Sequence, residues 1–234
     1  MENDILLSDI YAQLSEFFKG PTEEFASDVA DGRLLSYFRE VYSVLGINRT
    51  PPEGLWVTAD TYAVLRAEYK KLFMGPLPPY IVPVESVYKR WSNDPGCNLP
   101  LAGEKGYLMG DPAMDMISRY QADGLVIPDE YSAMPDHIIL ELEYMAHLCR
   151  NFSEREQREF LKNHLDWIAD LTGDIQQYDN AGFYFTAVQI TELVNKAVQR
   201  ELNRSCIPEQ DKSETAGRAG GHRLPQSLSE AARE

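Results

Sequence analysis

The stretch Ile138-Ile139-Leu140-Glu141-Leu142-Glu143-Tyr144-Met145-Ala146-His147-Leu148-Cys149 decides the fold. Its apolar residues cover most of the circumference of a helix, and such a helix belongs at the centre of a helical protein. Met134-Pro135-Asp136-His137 starts it, and it runs to about Asn151. Outward from it in both directions, apolar residues recur at helical spacing, and no region shows sustained period-two alternation bounded by hairpin turns.

Upstream, Leu6, Ile10, Leu14 and Phe17 or Phe18 stripe a helix over about 4–18 that Gly20-Pro21 stops. A short helix follows near Thr22–Val29. Asp31 is the expected N-cap of the next, which buries Leu34, Leu35, Phe38, Val41, Tyr42 and Leu45 and ends at Gly46. Thr58 is expected to cap a helix through Phe73, closed by Gly75-Pro76. Between Gly75 and Gly110 stand six prolines and five glycines, too many breakers for long elements, so a short helix fits only between Val84 and Trp91.

Downstream of that loop, Asp111-Pro112 opens a helix to about Asp123, with Met114, Ile117 and Tyr120 expected inward and Gly124 as its stop. Ser153-Glu-Arg-Glu reads as a capping box, predicting one helix with Phe160, Leu161, His164, Leu165, Ile168 and Leu171 inward and Gly173 as its end. The last long helix spans about 181–203. The expectation is an all-α, single-domain bundle over 1–204 with a long Pro/Gly-rich loop, and a disordered tail over 205–234, where few apolar residues remain to offset ordering entropy.

The formal net charge is −15. Such a field repels phosphate backbones and anionic lipid, excluding nucleic acid as a partner and favouring basic peptides. Three cysteines without a C-x-x-C pattern give no disulfide framework, and neither a secretory start nor a bilayer-length apolar run is present. A cytoplasmic location and no membrane insertion are therefore expected.

A phosphate loop, a G-x-S-x-G elbow and an activated cysteine are missing, so the chain is expected not to be an enzyme and to need no cofactor. The metal alternative is a helical metalloprotein using His137, Glu141, Glu143 and His147. Its two i,i+4 pairs point to different sides, because residues 141 and 143 lie about 200° apart on a helix. His164, on an apolar face, reads as a core histidine satisfied by hydrogen bonds. Tyr80, Tyr88 and Trp91 fall in the proline-rich loop and are candidates to line an apolar peptide groove.

Three segments together resemble the redox-enzyme maturation proteins, the family that includes the chaperones of trimethylamine N-oxide reductase, dimethyl sulfoxide reductase and respiratory nitrate reductase. They are Glu68-Tyr69-Lys-Lys-Leu72-Phe73 with Gly75-Pro76, Pro83-Val-Glu85-Ser86-Val87-Tyr88, and Pro135-Asp136-His137 followed by Glu141-Leu142-Glu143. The resemblance covers about residues 5–203. It implies a helical domain, monomeric or domain-swapped, that binds the twin-arginine leader or the apo catalytic subunit of a molybdenum oxidoreductase until its cofactor is inserted. By family position the binding surface comprises Pro135, Asp136, His137 and Glu141, with Glu85, Ser86, Tyr88 and Trp91 of the loop and Glu68, Tyr69, Leu72 and Phe73 close by. Carboxylates there suit arginine guanidinium groups, and the aromatic and aliphatic walls suit an apolar leader stretch. Pro135-Asp136 also reads as a plain helix start, and Leu72-Phe73 as a core contact.

Overall fold

The computed structural model describes residues 2–57, 60–74, 81–178 and 182–204. Thr58, Gly75-Pro76, Tyr80 and the 205–234 tail lie outside the described residues. Among the described residues ten α-helices follow one another: α1 (Glu2–Glu16), α2 (Glu23–Ala30), α3 (Arg33–Val44), α4 (Thr61–Tyr69), α5 (Glu85–Tyr88), α6 (Asp111–Ala122), α7 (Ile138–Asn151), α8 (Glu154–His164), α9 (Ile168–Tyr178) and α10 (Phe183–Arg204). A π-turn over Lys70–Met74 extends α4, and two short 3₁₀ turns cover Glu53–Leu55 and Asp129–Tyr131. Among the described residues there is no strand, only an isolated antiparallel bridge between Val84 and His137. The fold is all-α.

The expected central helix is central. All of Ile138–Leu142 and Tyr144–Ala146 on α7 are buried, and its most extensive partner is α1, which brings Ile10, Tyr11 and Leu14 to the interface. Elsewhere in the core α10, whose buried residues include Ala187, Ile190, Val194 and Val198, packs against α8 and α9. Phe17, Phe38 and Phe183 knit α1, α3 and α10 together, with ring centroids 5.2 and 5.7 Å apart in tilted and edge-on pairs. No helix among the described residues is long and apolar enough to cross a membrane.

Local signals explain most helix ends. Ser153 and Glu156 form the full capping box, each side chain bonding the other's backbone N–H. Gly46 and Gly124 stop α3 and α6 at φ of 60° and 69°, a region that glycine enters without strain. The N-cap of α3 is not Asp31, which belongs to the end of α2; Gly32, at φ 71°, makes the tight turn between the two. On α6 the buried residues include Ala113, Met116 and Tyr120, whereas Met114 is 53% exposed and Ile117 half-buried, so the inward stripe runs through 113, 116 and 120.

The single helix expected from Ser153 to Gly173 is two. The chain breaks at Leu165-Asp166-Trp167, where the indole of Trp167 turns inward to stack on Tyr88 at 5.1 Å and to donate a hydrogen bond to Glu141 Oε2 at 2.9 Å. Gly173 consequently lies inside α9 and does not end it.

The Pro/Gly-rich segment from Ile81 to Gly110 is a fixed wrap over the core. Trp91 N–H donates to the Glu104 carbonyl at 2.8 Å, Ser92 N–H to Ala102 at 2.9 Å and Gly106 N–H to Val87 at 2.9 Å. Asp111 Oδ2 accepts from the Ser92 hydroxyl and from Asn93 N–H, at 3.0 and 2.7 Å. Gly110 closes the wrap so tightly that a Cβ there would sit 2.6 Å from the Trp91 carbonyl oxygen. Gly110→Ala is expected to cost about 2 kcal/mol, since a backbone atom must move to admit the methyl group. Urea unfolding measures it.

Candidate functional site

Two of the three motif segments meet. Glu85 N–H donates to the Asp136 carbonyl, and Ile138 N–H to the Pro83 carbonyl, each at 3.0 Å, so 83–85 and 136–138 pair as a short two-rung bridge. Asp136 completes the join. Its Oδ2 accepts from Ser86 N–H at 2.7 Å and from the Ser86 hydroxyl, whose oxygen in turn accepts Gly110 N–H at 3.2 Å. One carboxylate thus ties α5, the end of the wrap and the start of α7. The cap of α7 is His137, whose Nδ1 accepts Ile139 N–H at 3.3 Å. Burial holds the His137 imidazole down to a pKa of about 4, so it is neutral near pH 7 and able to cap.

Beside this join lies a buried ionic network. Glu85 Oε2 is 2.8 Å from His164 Nδ1, and His164 Nε2 is 2.7 Å from Asp115 Oδ2. Lys89 Nζ donates to Glu85 Oε1 at 2.6 Å. Burial pulls the Glu85 carboxyl upward, but the His164 hydrogen bond and charge, with Lys89, outweigh it and keep Glu85 ionised. For His164 burial works against the charge, and the two carboxylate bonds prevail, raising its pKa. Glu141 has no such cation. Burial, then the neighbouring Glu85 charge, pushes its carboxyl well above the carboxylate range. Asp136 is likewise raised by burial.

The remaining motif residues are mostly structural neighbours. Glu68 accepts from Phe183 N–H and Tyr184 N–H, at 3.2 and 2.9 Å, placing its charge at the positive start of α10. Tyr69 and Phe73 are half-buried and pack with Tyr184 at 5.6 and 5.3 Å, and Leu72 is fully buried. Tyr88 and Pro135 are buried, and Trp91 is half-buried, its indole donating to the Leu108 carbonyl at 3.1 Å. Glu85, Ser86, Asp136 and Glu141 are each 0% exposed. They lie beneath the surface, where a bound peptide cannot touch them in this conformation.

The metal quartet on α7 does not converge. His137 caps the helix, Glu143 is exposed and pairs with Lys19 at 2.8 Å, and His147 lies 3.4 Å from Asp123. Of the four, Glu141 is the one that belongs to a group of three potential ligands among the described residues.

An apolar cleft of about 220 Å³ opens next to α7. Leu125, Val126, Ile127 and Pro128 form one wall; Tyr120, Leu140 and Tyr144 lie opposite with Glu143 and His147. Val126 is 91% exposed, a β-branched side chain with little to bury it. Glu143 lines the cleft, Asp123 meets two lining residues, Tyr144 and His147, and the exposed Asp129 and Glu130 follow Pro128 directly in the chain, so the acidic residues lie in and next to the lining segment. Sequence reasoning missed it, although four successive apolar residues after the Gly124 stop are an unusual loop. Tyr131, at the end of that loop, packs on His137 at 5.1 Å and links the cleft to the bridge.

The chain is thus an all-helical body with an apolar cleft beside a buried carboxylate join. It belongs to the nitrate reductase delta subunit family, whose model matches residues 53–173 and so takes in all three motif segments. Among its relatives, the chaperone protein TorD of Shewanella pealeana is 28% identical over 90 residues, 38% of this chain and 41% of the relative. That of Shewanella piezotolerans is 26% identical over 129 residues, covering 54% and 57%, so the chain spans about half the length of these two. The TorD of Vibrio cholerae is 26% identical over 203 residues, covering 79% and 83%. A crystal structure of a redox enzyme maturation protein from Archaeoglobus fulgidus is similar at a TM-score of 0.48 and 21% identity, over 84% and 93% of the two chains.

Proposed function

We propose that this chain is a non-enzymatic, cytoplasmic chaperone that holds the leader or apo catalytic subunit of a molybdenum oxidoreductase while its cofactor is inserted. The single observation that carries the reading is the apolar cleft of Leu125–Pro128 in a member of this family, with relatives named as TorD chaperones. A leader offers arginines followed by an apolar stretch. Glu143 in the lining, with Asp123, Asp129 and Glu130 in the adjoining chain, supplies carboxylates for the former, and Val126, Ile127, Leu140 and Tyr144 the wall for the latter.

The motif residues divide in two under this reading. Pro135, Asp136, Glu85, Ser86, Glu141, Tyr88 and Leu72 brace the surface from below. His137, through Tyr131, and the half-buried Tyr69, Phe73 and Trp91 extend it, with Glu68 fixing the helix on which Tyr69 stands. The chain's charge of −15 draws a cationic leader toward the cleft.

The test is maturation in a host lacking this gene. Wild-type protein is expected to restore molybdenum content and activity of the client reductase, whereas Val126→Asp, at a 91% exposed position, is expected to restore less than about a tenth while melting like wild type. Full restoration by Val126→Asp would remove the cleft from the account.

A further inference from the structure

We propose that Glu85, Glu141 and His164 bind one divalent cation, with zinc the best fit, between α5, α7 and α8. A carboxylate oxygen from each glutamate and a ring nitrogen of His164 all lie within 4.8 Å of one another. The three side chains are 0%, 0% and 4% exposed. One imidazole nitrogen and two carboxylate oxygens form a ligand set that zinc accepts, at about 2.0–2.2 Å each with a water as fourth ligand.

A second observation points the same way. Glu141 Oε2 is held by the Trp167 indole, while the buried Glu141 Oε1 accepts from no donor and has the Glu85 carboxylate as its neighbour. An oxygen of that kind, on a fully buried side chain beside two other ligand atoms, is an acceptor awaiting an occupant. Either a proton shared with Glu85 or a cation fills the place.

The surroundings are those of a metal's outer shell. Asp115 Oδ2, 2.7 Å from His164 Nε2, fixes the imidazole so that Nδ1 faces the glutamates. This is the carboxylate–histidine arrangement that orients a ligating nitrogen. Lys89 holds the outer oxygen of Glu85, and Trp167 the outer oxygen of Glu141. Each ligand is therefore positioned before any ion arrives. The ligands come from residues 85, 141 and 164, which explains why no short-range spacing in the sequence announces them. An ion there would pin the proline-rich wrap to the core helices, a structural role.

The experiment uses the full-length chain without an affinity tag, stripped with a chelator, then titrated calorimetrically with zinc chloride. One equivalent is expected to bind and to raise the melting temperature. Glu141→Gln, which can still accept from Trp167, is expected to lose both effects, while Glu143→Gln on the same helix keeps them. Cobalt(II) supplies a readout independent of any variant, because a low-coordinate nitrogen–oxygen site gives visible absorption far stronger than the aqueous ion. No zinc bound by wild type, unchanged binding by Glu141→Gln, or a cobalt spectrum of the aqueous ion alone would each overturn the proposal.

Discussion

Asp136→Ala is expected to lower the free energy of unfolding by about 3 kcal/mol, because it leaves the Ser86 N–H and hydroxyl without their buried acceptor. The loss should come with loosening of the wrap, since Ser86 in turn holds Gly110 N–H. Amide exchange at Ser86 and Gly110 should accelerate together. Asp136→Asn separates two roles. An asparagine oxygen still accepts both bonds and removes a charge that burial disfavours, so its stability should stay near wild type. If Asp136 instead met a leader arginine directly, the same variant would fold normally and lose leader affinity by tenfold or more.

Leu142→Ala is expected to cost about 3–5 kcal/mol, in the range of the most damaging core truncations. Leu142 is 0% exposed on α7, where α1 and α7 make the most extensive helix contact in the molecule. Close packing leaves little room for collapse into the vacated space. Chemical unfolding followed by far-ultraviolet circular dichroism reads the change, and a loss below about 1 kcal/mol would mean that α7 is not the centre of the core.

The helices were legible because burial on one side of a helix writes a period of 3.6 into the chain. For α7 the pattern was unmistakable, and Ser153 and Glu156 gave the start of α8 down to both hydrogen bonds. At the break between α8 and α9, a distant contact decided. Leu165, Ile168 and Leu171 keep helical spacing across the break between α8 and α9, so nothing local marks it. The cause is the attachment of Trp167 to Tyr88 and Glu141, far away in sequence.

The candidate site was legible in its parts and not in its depth. Resemblance brought out Pro83–Tyr88 and Pro135–Glu141, and the first of these pairs with the start of the second. Carboxylates such as Glu85 and Asp136 are exposed in most proteins, so the sequence offered no reason to put them at 0% exposure. Their burial rests on partners brought in from other segments, Ser86 for Asp136 and His164 for Glu85, with Lys89 one helical turn away adding to the latter. His164 was readable as a buried histidine on an apolar face, and the structure sets a carboxylate against each of its nitrogens. The cleft escaped notice because Leu125–Pro128 has neither helical nor strand period.

The most direct measurement is a calorimetric titration of the full chain with a synthetic twin-arginine leader from a molybdenum oxidoreductase of the same genome. Saturable one-to-one binding is predicted, weakened by salt because acidic residues lie in and next to the cleft lining, and reduced at least tenfold by Val126→Asp. Binding that Val126→Asp leaves unchanged would move the leader to another face. The absence of binding to any such leader, and to the apo catalytic subunits themselves, would contradict the chaperone account.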